Sequence, residues 1–115
     1  MFPLNLLVLR CRDLDASRTF YEALGCSFVS HRHGSGPVHY AHETDDFVLE
    51  LYPAPTPDYA DQTGFGFYTN DVWHLQETLE RHGLTPGPIE HRPWGVTFVI
   101  RDPDGRRIEI QWRSK

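Results

Sequence analysis

The feature that most constrains the fold of this chain is an internal repeat at a fixed spacing. Asp13 and Asp71 each open a stretch with apolar residues at helical intervals, Leu14, Tyr21 and Leu24 in the first copy and Val72, Leu75 and Leu79 in the second. Gly25 and Gly83 close them, and 71 − 13 and 83 − 25 both equal 58. An aspartate ahead of the first turn accepts from an otherwise unpaired N–H, and a glycine just past the last turn takes the left-handed conformation that ends a helix. A strand-like run precedes each helix, Asn5 to Arg12 and Phe65 to Asn70, with Leu9 mapping onto Phe67 by the same shift. Two copies are too few for a solenoid, so the repeat is a duplicated supersecondary unit.

Three short β-like runs follow each helix. In the first half they are Cys26 to Arg32, Pro37 to His42 and Phe47 to Tyr52, separated by the turn-rich segments HGSGP and ETDD. In the second half they are Thr85 to His91, Gly95 to Arg101 and Arg106 to Trp112, the last two joined by the turn-forming Asp102-Pro103-Asp104-Gly105. Pro53 to Thr63 is the linker. The pattern predicts an α+β fold of two βαβββ modules with curved mixed sheets around a pocket. The modules cover about residues 1–56 and 60–115 of one 115-residue domain.

Charge and composition narrow the function. Eleven basic against sixteen acidic residues, net −5 and without a basic run, argue against nucleic acid as a partner. The opening MFPLNLLVLR has neither a charged leader nor a long apolar stretch, so a membrane association is not expected and a cytoplasmic setting is. Cys11 and Cys26 stand without a CxxC or a cluster and are expected to be reduced thiols, with a disulfide left open. No nucleophile-elbow sequence supports covalent catalysis.

The segments LRCRDLDASRTFYEALG, VLELYP and IRDPDGRRIEI, in this order, resemble the vicinal oxygen chelate superfamily of glyoxalase, bleomycin-resistance and extradiol-dioxygenase proteins. The likeness covers nearly the full chain and is more specific for the fold than for any one activity. Metal-dependent members take ligands from the first and last strand of each module. Carried over by position, the two glutamate places fall on Glu50 and Glu109, while the other two places hold Leu6 and Gly64, which have no donor. The resemblance therefore implies a divalent metal ion as the cofactor to test for, with Glu50 and Glu109 an incomplete ligand set.

Strand alternation assigns Leu6, Val8 and Arg10, then Val48, Glu50 and Tyr52, then Arg107, Glu109 and Gln111 to the pocket face, with Leu7, Leu9, Leu49, Leu51, Ile108, Ile110 and Trp112 facing the helices. If Glu43 to Asp46 form the hairpin connection, facing residues sum to 42 + 47 = 89, which sets His39 opposite Glu50. That pair is the candidate catalytic couple, with the alternative of a surface cross-strand contact. Arg10, His39, Tyr52, Tyr68, Trp94, Arg107 and Gln111 are the candidate ligand-binding residues, and Gly64 and Gly66 leave room beside them. His31, His33 and His42 lack a zinc spacing and are expected mostly at the surface, His74 and His82 on the second helix have a solvated or cap-related role, and His91 lies near a strand end.

The leading expectation is a protein that binds a small organic molecule, with an incomplete metal site. The rival is a metal-dependent lyase, isomerase or dioxygenase using Glu50, Glu109 and a histidine. A homodimer is the expected assembly, because half-open sheets invite pairing and members of the resembled family commonly complete their sites across two chains.

Overall fold

A computed structural model describes residues 2–114. The chain divides into two compact units, residues 1–59 and 60–115. The first contains β1 (Leu6–Cys11), α1 (Leu14–Ala23), β2 (Val29–His31), β3 (His39–Glu43) and β4 (Val48–Pro53). The second contains β5 (Phe65–Thr69), α2 (Val72–Arg81), β6 (Glu90–Arg92), β7 (Gly95–Arg101) and β8 (Arg107–Trp112). Each unit is thus a βαβββ module with one mixed four-stranded sheet, ordered β1-β4-β3-β2 in the first and β5-β8-β7-β6 in the second. The first strand of each module lies at a sheet edge and pairs in parallel with the last, as a crossover connection through a helix requires.

The helices begin and end where their chemistry says they should. Asp13 accepts from the Ala16 N–H at 3.0 Å and Asp71 from the His74 N–H at 2.9 Å, caps each worth about 1 kcal/mol. Gly25 and Gly83 follow at φ of 113° and 78°, in the left-handed region that other residues avoid. Both helices lie on one face of their own sheet, and alternation sends the apolar side chains there. Leu9, Cys11, Leu49 and Leu51 are buried with Phe20 and Tyr21 in the first unit, and Phe98, Ile100, Ile108 and Ile110 with Val72 and Leu79 in the second. The opposite face of each sheet, free of helix, carries the remaining alternate residues and is called the open face below.

The helices keep the spacing of 58, whereas the last strands, Val48–Pro53 and Arg107–Trp112, are 59 apart, and the turns explain the step. In the first module the Thr44 N–H donates to the Phe47 carbonyl at 2.9 Å across the two residues Asp45 and Asp46. In the second, the Asp102 N–H donates to the Arg106 carbonyl at 3.0 Å across the three residues Pro103 to Gly105. The extra residue displaces β8, so that Glu50, beside Val8, corresponds to Glu109, beside Gly66.

Three expectations need correction. Ala41 faces Glu50, so facing residues in the β3–β4 hairpin sum to 91 rather than 89, because Thr44 closes the turn and its hydroxyl caps the Phe47 N–H at 3.1 Å. β6 is three residues long instead of the seven expected from Thr85 to His91, since Pro86 and Pro88 have no N–H to give a ladder. Trp112 is 41% exposed rather than part of the helix-facing core, and its indole N–H donates to the Asn70 carbonyl at 3.1 Å.

Arg106 is the largest buried charge, 1% exposed. Its guanidinium meets Asp61 at 2.7 Å, Asp102 at 3.2 Å and Asp104 at 3.5 Å, tying the start of the second unit to the β7–β8 turn. Both cysteines are free thiols, and burial, with the Glu22 charge second, pushes the Cys26 thiol up to about 11. Among the described residues no helix is long and apolar enough to cross a membrane.

Candidate functional site

The open face of the first unit is organised by one row that crosses all four strands. His31 is the β2 partner of His39, and Tyr52 is the β4 partner of Arg10. Extending the β3–β4 register sets His39 beside Tyr52, and their rings stack at 4.2 Å with planes 8° apart. The Arg10 guanidinium lies 4.8 Å from the Tyr52 ring, and the His33 and His31 rings lie 5.3 and 5.8 Å from that of His39. The row is a ladder of guanidinium, phenol and three imidazoles. Glu50 stands one step along, its carboxylate 3.9 Å from the His39 Nε2, and Glu43 lies 3.5 Å from the His31 Nε2.

His39 is 2% exposed, and its Nδ1 lies 3.4 Å from the Pro37 carbonyl. Its Nε2 is aimed toward Glu50 on the other side of the ring. His39 and Glu50 therefore meet even though they are diagonal rather than opposite. A register shift of two residues preserves the face, and only a shift of one would have separated them.

The equivalent row of the second unit is Glu90, Thr97, Gln111 and Tyr68, a polar set in place of the imidazoles. Trp94 reaches over it. Its indole N–H donates to Glu109 at 3.0 Å, and the Gln111 amide donates back to the Trp94 carbonyl at 2.9 Å. Gly95, at φ 148°, lets that amide pass, since a Cβ there would stand 2.9 Å from the Gln111 nitrogen. Arg107 lies 3.6 Å from the second Glu109 oxygen, and Arg113 covers the Tyr68 ring at 4.0 Å.

Where the first unit has Leu6 and Val8, the second has Gly64 and Gly66, and the space so left is a cavity of about 540 Å³. It is lined by Gly64, Gly66, Tyr68, Arg107, Glu109 and Gln111. A neighbouring cavity of about 260 Å³ runs beneath Trp94, and another of about 400 Å³ opens beside Arg101. Arg107 lines all three.

The sequence-predicted residues thus gather into two groups: Arg10, His39, Glu50 and Tyr52 on one open face, and Tyr68, Trp94, Arg107, Glu109 and Gln111 on the other. The sequence reading missed that His31 and His33 belong against His39, though the alternation that placed His39 also places His31. It also missed Arg101 opposite Arg107, which the hairpin register alone reveals.

The donors within each unit do not fit a resident divalent ion. Leu6 and Gly64 offer no lone pair at the places flanking the two glutamates, and Glu109 is already engaged by the Trp94 indole and Arg107. No group of three or more His, Cys, Asp or Glu among the described residues is arranged to hold a metal.

Three solved structures share the architecture closely. TnmS3, an antibiotic binding protein from Streptomyces sp., matches with a TM-score of 0.81 and 23% identity over 99% of this chain and 98% of that one. A bleomycin-binding protein in complex with bleomycin matches with a TM-score of 0.72 and 20% identity over 99% and 100% of the two chains. Lactoylglutathione lyase from Agrobacterium tumefaciens matches with a TM-score of 0.73 and 22% identity over 96% and 92%. At these identities the likeness establishes the fold alone. No curated protein matches the sequence significantly. The model of the Glyoxalase/Bleomycin resistance protein/Dioxygenase superfamily matches residues 4–110, and with the duplicated βαβββ module and its paired Glu50 and Glu109 positions, the chain belongs to that superfamily.

Proposed function

We propose that this protein binds a small organic molecule on its open sheet faces and does so without a resident metal ion. The observation that carries this reading is the cavity of about 540 Å³ over Gly64 and Gly66, within the usual size of small-molecule sites and edged by a few polar groups. Trp94 and Tyr68 on one face, and the Tyr52 and His39 stack on the other, favour an aromatic or heterocyclic ligand. An antibiotic binding protein and a bleomycin-binding protein share this fold with a lactoylglutathione lyase, and it is the unfit donor set within each unit that favours binding over metal-dependent turnover. Any proton transfer on the first face would fall to His39 and Glu50, the couple 3.9 Å apart.

Changing Glu50 to Gln keeps shape and removes charge, so it should alter the affinity for an aromatic ligand found by screening by more than tenfold, about 1.4 kcal/mol. His39→Ala should be non-additive with it, because either change alone breaks the couple. Calorimetric titration of the two single variants and the double variant reads this directly. Parental affinity in both singles, at unchanged melting temperature, would remove the first face from the site.

A homodimer is part of the same reading. Edge strands β1 and β5 carry the exposed Leu6, Val8 and Tyr68, surface that a second copy would cover. Sedimentation at micromolar concentration should show the dimer, and a monomer alone would contradict it.

A further inference from the structure

Arg101 and Arg107 are direct partners across β7 and β8, so their side chains leave the same face side by side. Like charges set opposite each other on neighbouring strands destabilise a sheet unless something lies between them. The local carboxylates are spoken for. Glu90 pairs with Arg92, and Glu109 is shared between Arg107 at 3.6 Å and the Trp94 indole at 3.0 Å. Asp61, at the same rim, is held by two nitrogens of the buried Arg106 at 2.9 and 2.7 Å. Arg101 donates to the Gly105 carbonyl at 3.2 Å, a neutral partner. Arg101 is thus left with a neutral partner while the carboxylates around it are held by other groups.

Arg101 lies at a cavity of about 400 Å³ lined also by Arg107, Gln62, Gly64, Gly105 and the Asp61 carboxylate that Arg106 holds. Gly64 and Arg107 also line the larger cavity over Gly66 and Gln111. Two solvated arginines on a flat sheet would call for no ligand. Two arginines paired across the strands at one cavity, which shares Gly64 and Arg107 with a larger one lined by glycine and aromatic residues, describe a site with a charged end and an apolar body. A guanidinium presents its N–H groups as a planar fork that matches an oxyanion, and two such forks neutralise one better than either alone.

We infer that the ligand of the second unit's open face is an organic anion, with a carboxylate or phosphate group seated between Arg101 and Arg107 and an apolar ring system over Gly64 and Gly66. This rests on the small-molecule reading above and narrows it to acidic compounds.

The test uses matched probes on the whole protein: 2-naphthoate and 2-naphthyl phosphate against the neutral 2-naphthamide, each titrated into ¹⁵N-labelled protein. At least one anion should bind tenfold or more tighter than the amide, with shifts at Gly64, Gly66 and Gly105. In the Arg101→Gln, Arg107→Gln double variant that preference should vanish. Both arginines are exposed, so the variant should melt with the parent. Equal binding of anions and amide, or a preference that survives the double variant, overturns the inference and leaves the small-molecule reading standing. Absence of binding by all three up to millimolar concentration contradicts both.

Discussion

Replacing Arg106 with Met should destabilise the protein by about 3–5 kcal/mol, the cost of leaving a buried ion cluster without its partner, and lower Tm by roughly 10–20 °C. Arg106 is 1% exposed, and the side chains of Asp102 and Asp104 are 0% and 3% exposed. Methionine matches the aliphatic stem but gives no N–H, so these carboxylates keep their burial and lose their guanidinium. Burial acts to lower the Arg106 pKa, but the hydrogen bonds to Asp61 and the charge of Asp102 outweigh it, and the side chain stays charged. The Arg106 hydrogen bonds, helped by those from Thr63, hold the Asp61 carboxyl well below the usual carboxylate range. A carboxyl depressed in the folded state contributes stability that is present above its unfolded pKa of about 3.9 and is lost as pH falls toward the folded value. Thermal melts between neutral pH and pH 3 should therefore show the parent losing stability at the acid end and Arg106→Met losing less. Equal Tm for parent and variant at neutral pH would show that the cluster is not what anchors the β7–β8 turn.

The second large effect is expected from Gly64→Leu, which should weaken binding at the second unit's open face at least a hundredfold, about 2.7 kcal/mol. Gly64 lines both the 540 Å³ and the 400 Å³ cavities. A Cβ placed there meets only the Arg107 carbonyl, at the ordinary contact distance of 3.6 Å, and its φ is not positive, so the fold accepts the change. Gly66 does not offer the same test, because its Cβ would stand 2.7 Å from the Glu109 carbonyl and strain the sheet. Leucine at position 64 repeats the residue the first module carries at position 6 and should fill the hollow without unfolding it. Affinity by calorimetry together with Tm separates the outcomes, and unchanged affinity at unchanged Tm would place the ligand elsewhere.

Much of this was legible in the residues, and the reasons differ from element to element. The helices were, because Asp13 with Gly25 and Asp71 with Gly83 punctuate the chain by local chemistry that needs no tertiary context. Face assignment was legible too, since a period of two survives any error that is itself a multiple of two: the β3–β4 register was misjudged by that amount, and His39 still reached Glu50. The register itself was not, because it depended on the Thr44 hydroxyl capping Phe47, a choice between a two-residue and a four-residue turn that composition does not make. The burial of Arg106 was invisible, as DPDGR reads as a solvated turn and the partner that completes the cluster, Asp61, lies 45 residues away. Parity alone placed Glu50, Tyr52, Glu109 and Gln111 on the open faces. The hollow over Gly64 and Gly66, and the arginine pair beside it, needed the strand pairing to be seen.

The central claim, that the open sheet faces are the functional surface, is tested most directly by chemical-shift mapping of the labelled protein against a panel of aromatic and heterocyclic acids. The account predicts that the compounds that bind move the amides of Gly64, Gly66, Glu109 and Gln111 and the Trp94 indole N–H. Shifts confined to α1, α2 and the residues facing them, or the absence of any binder across the panel, would contradict it.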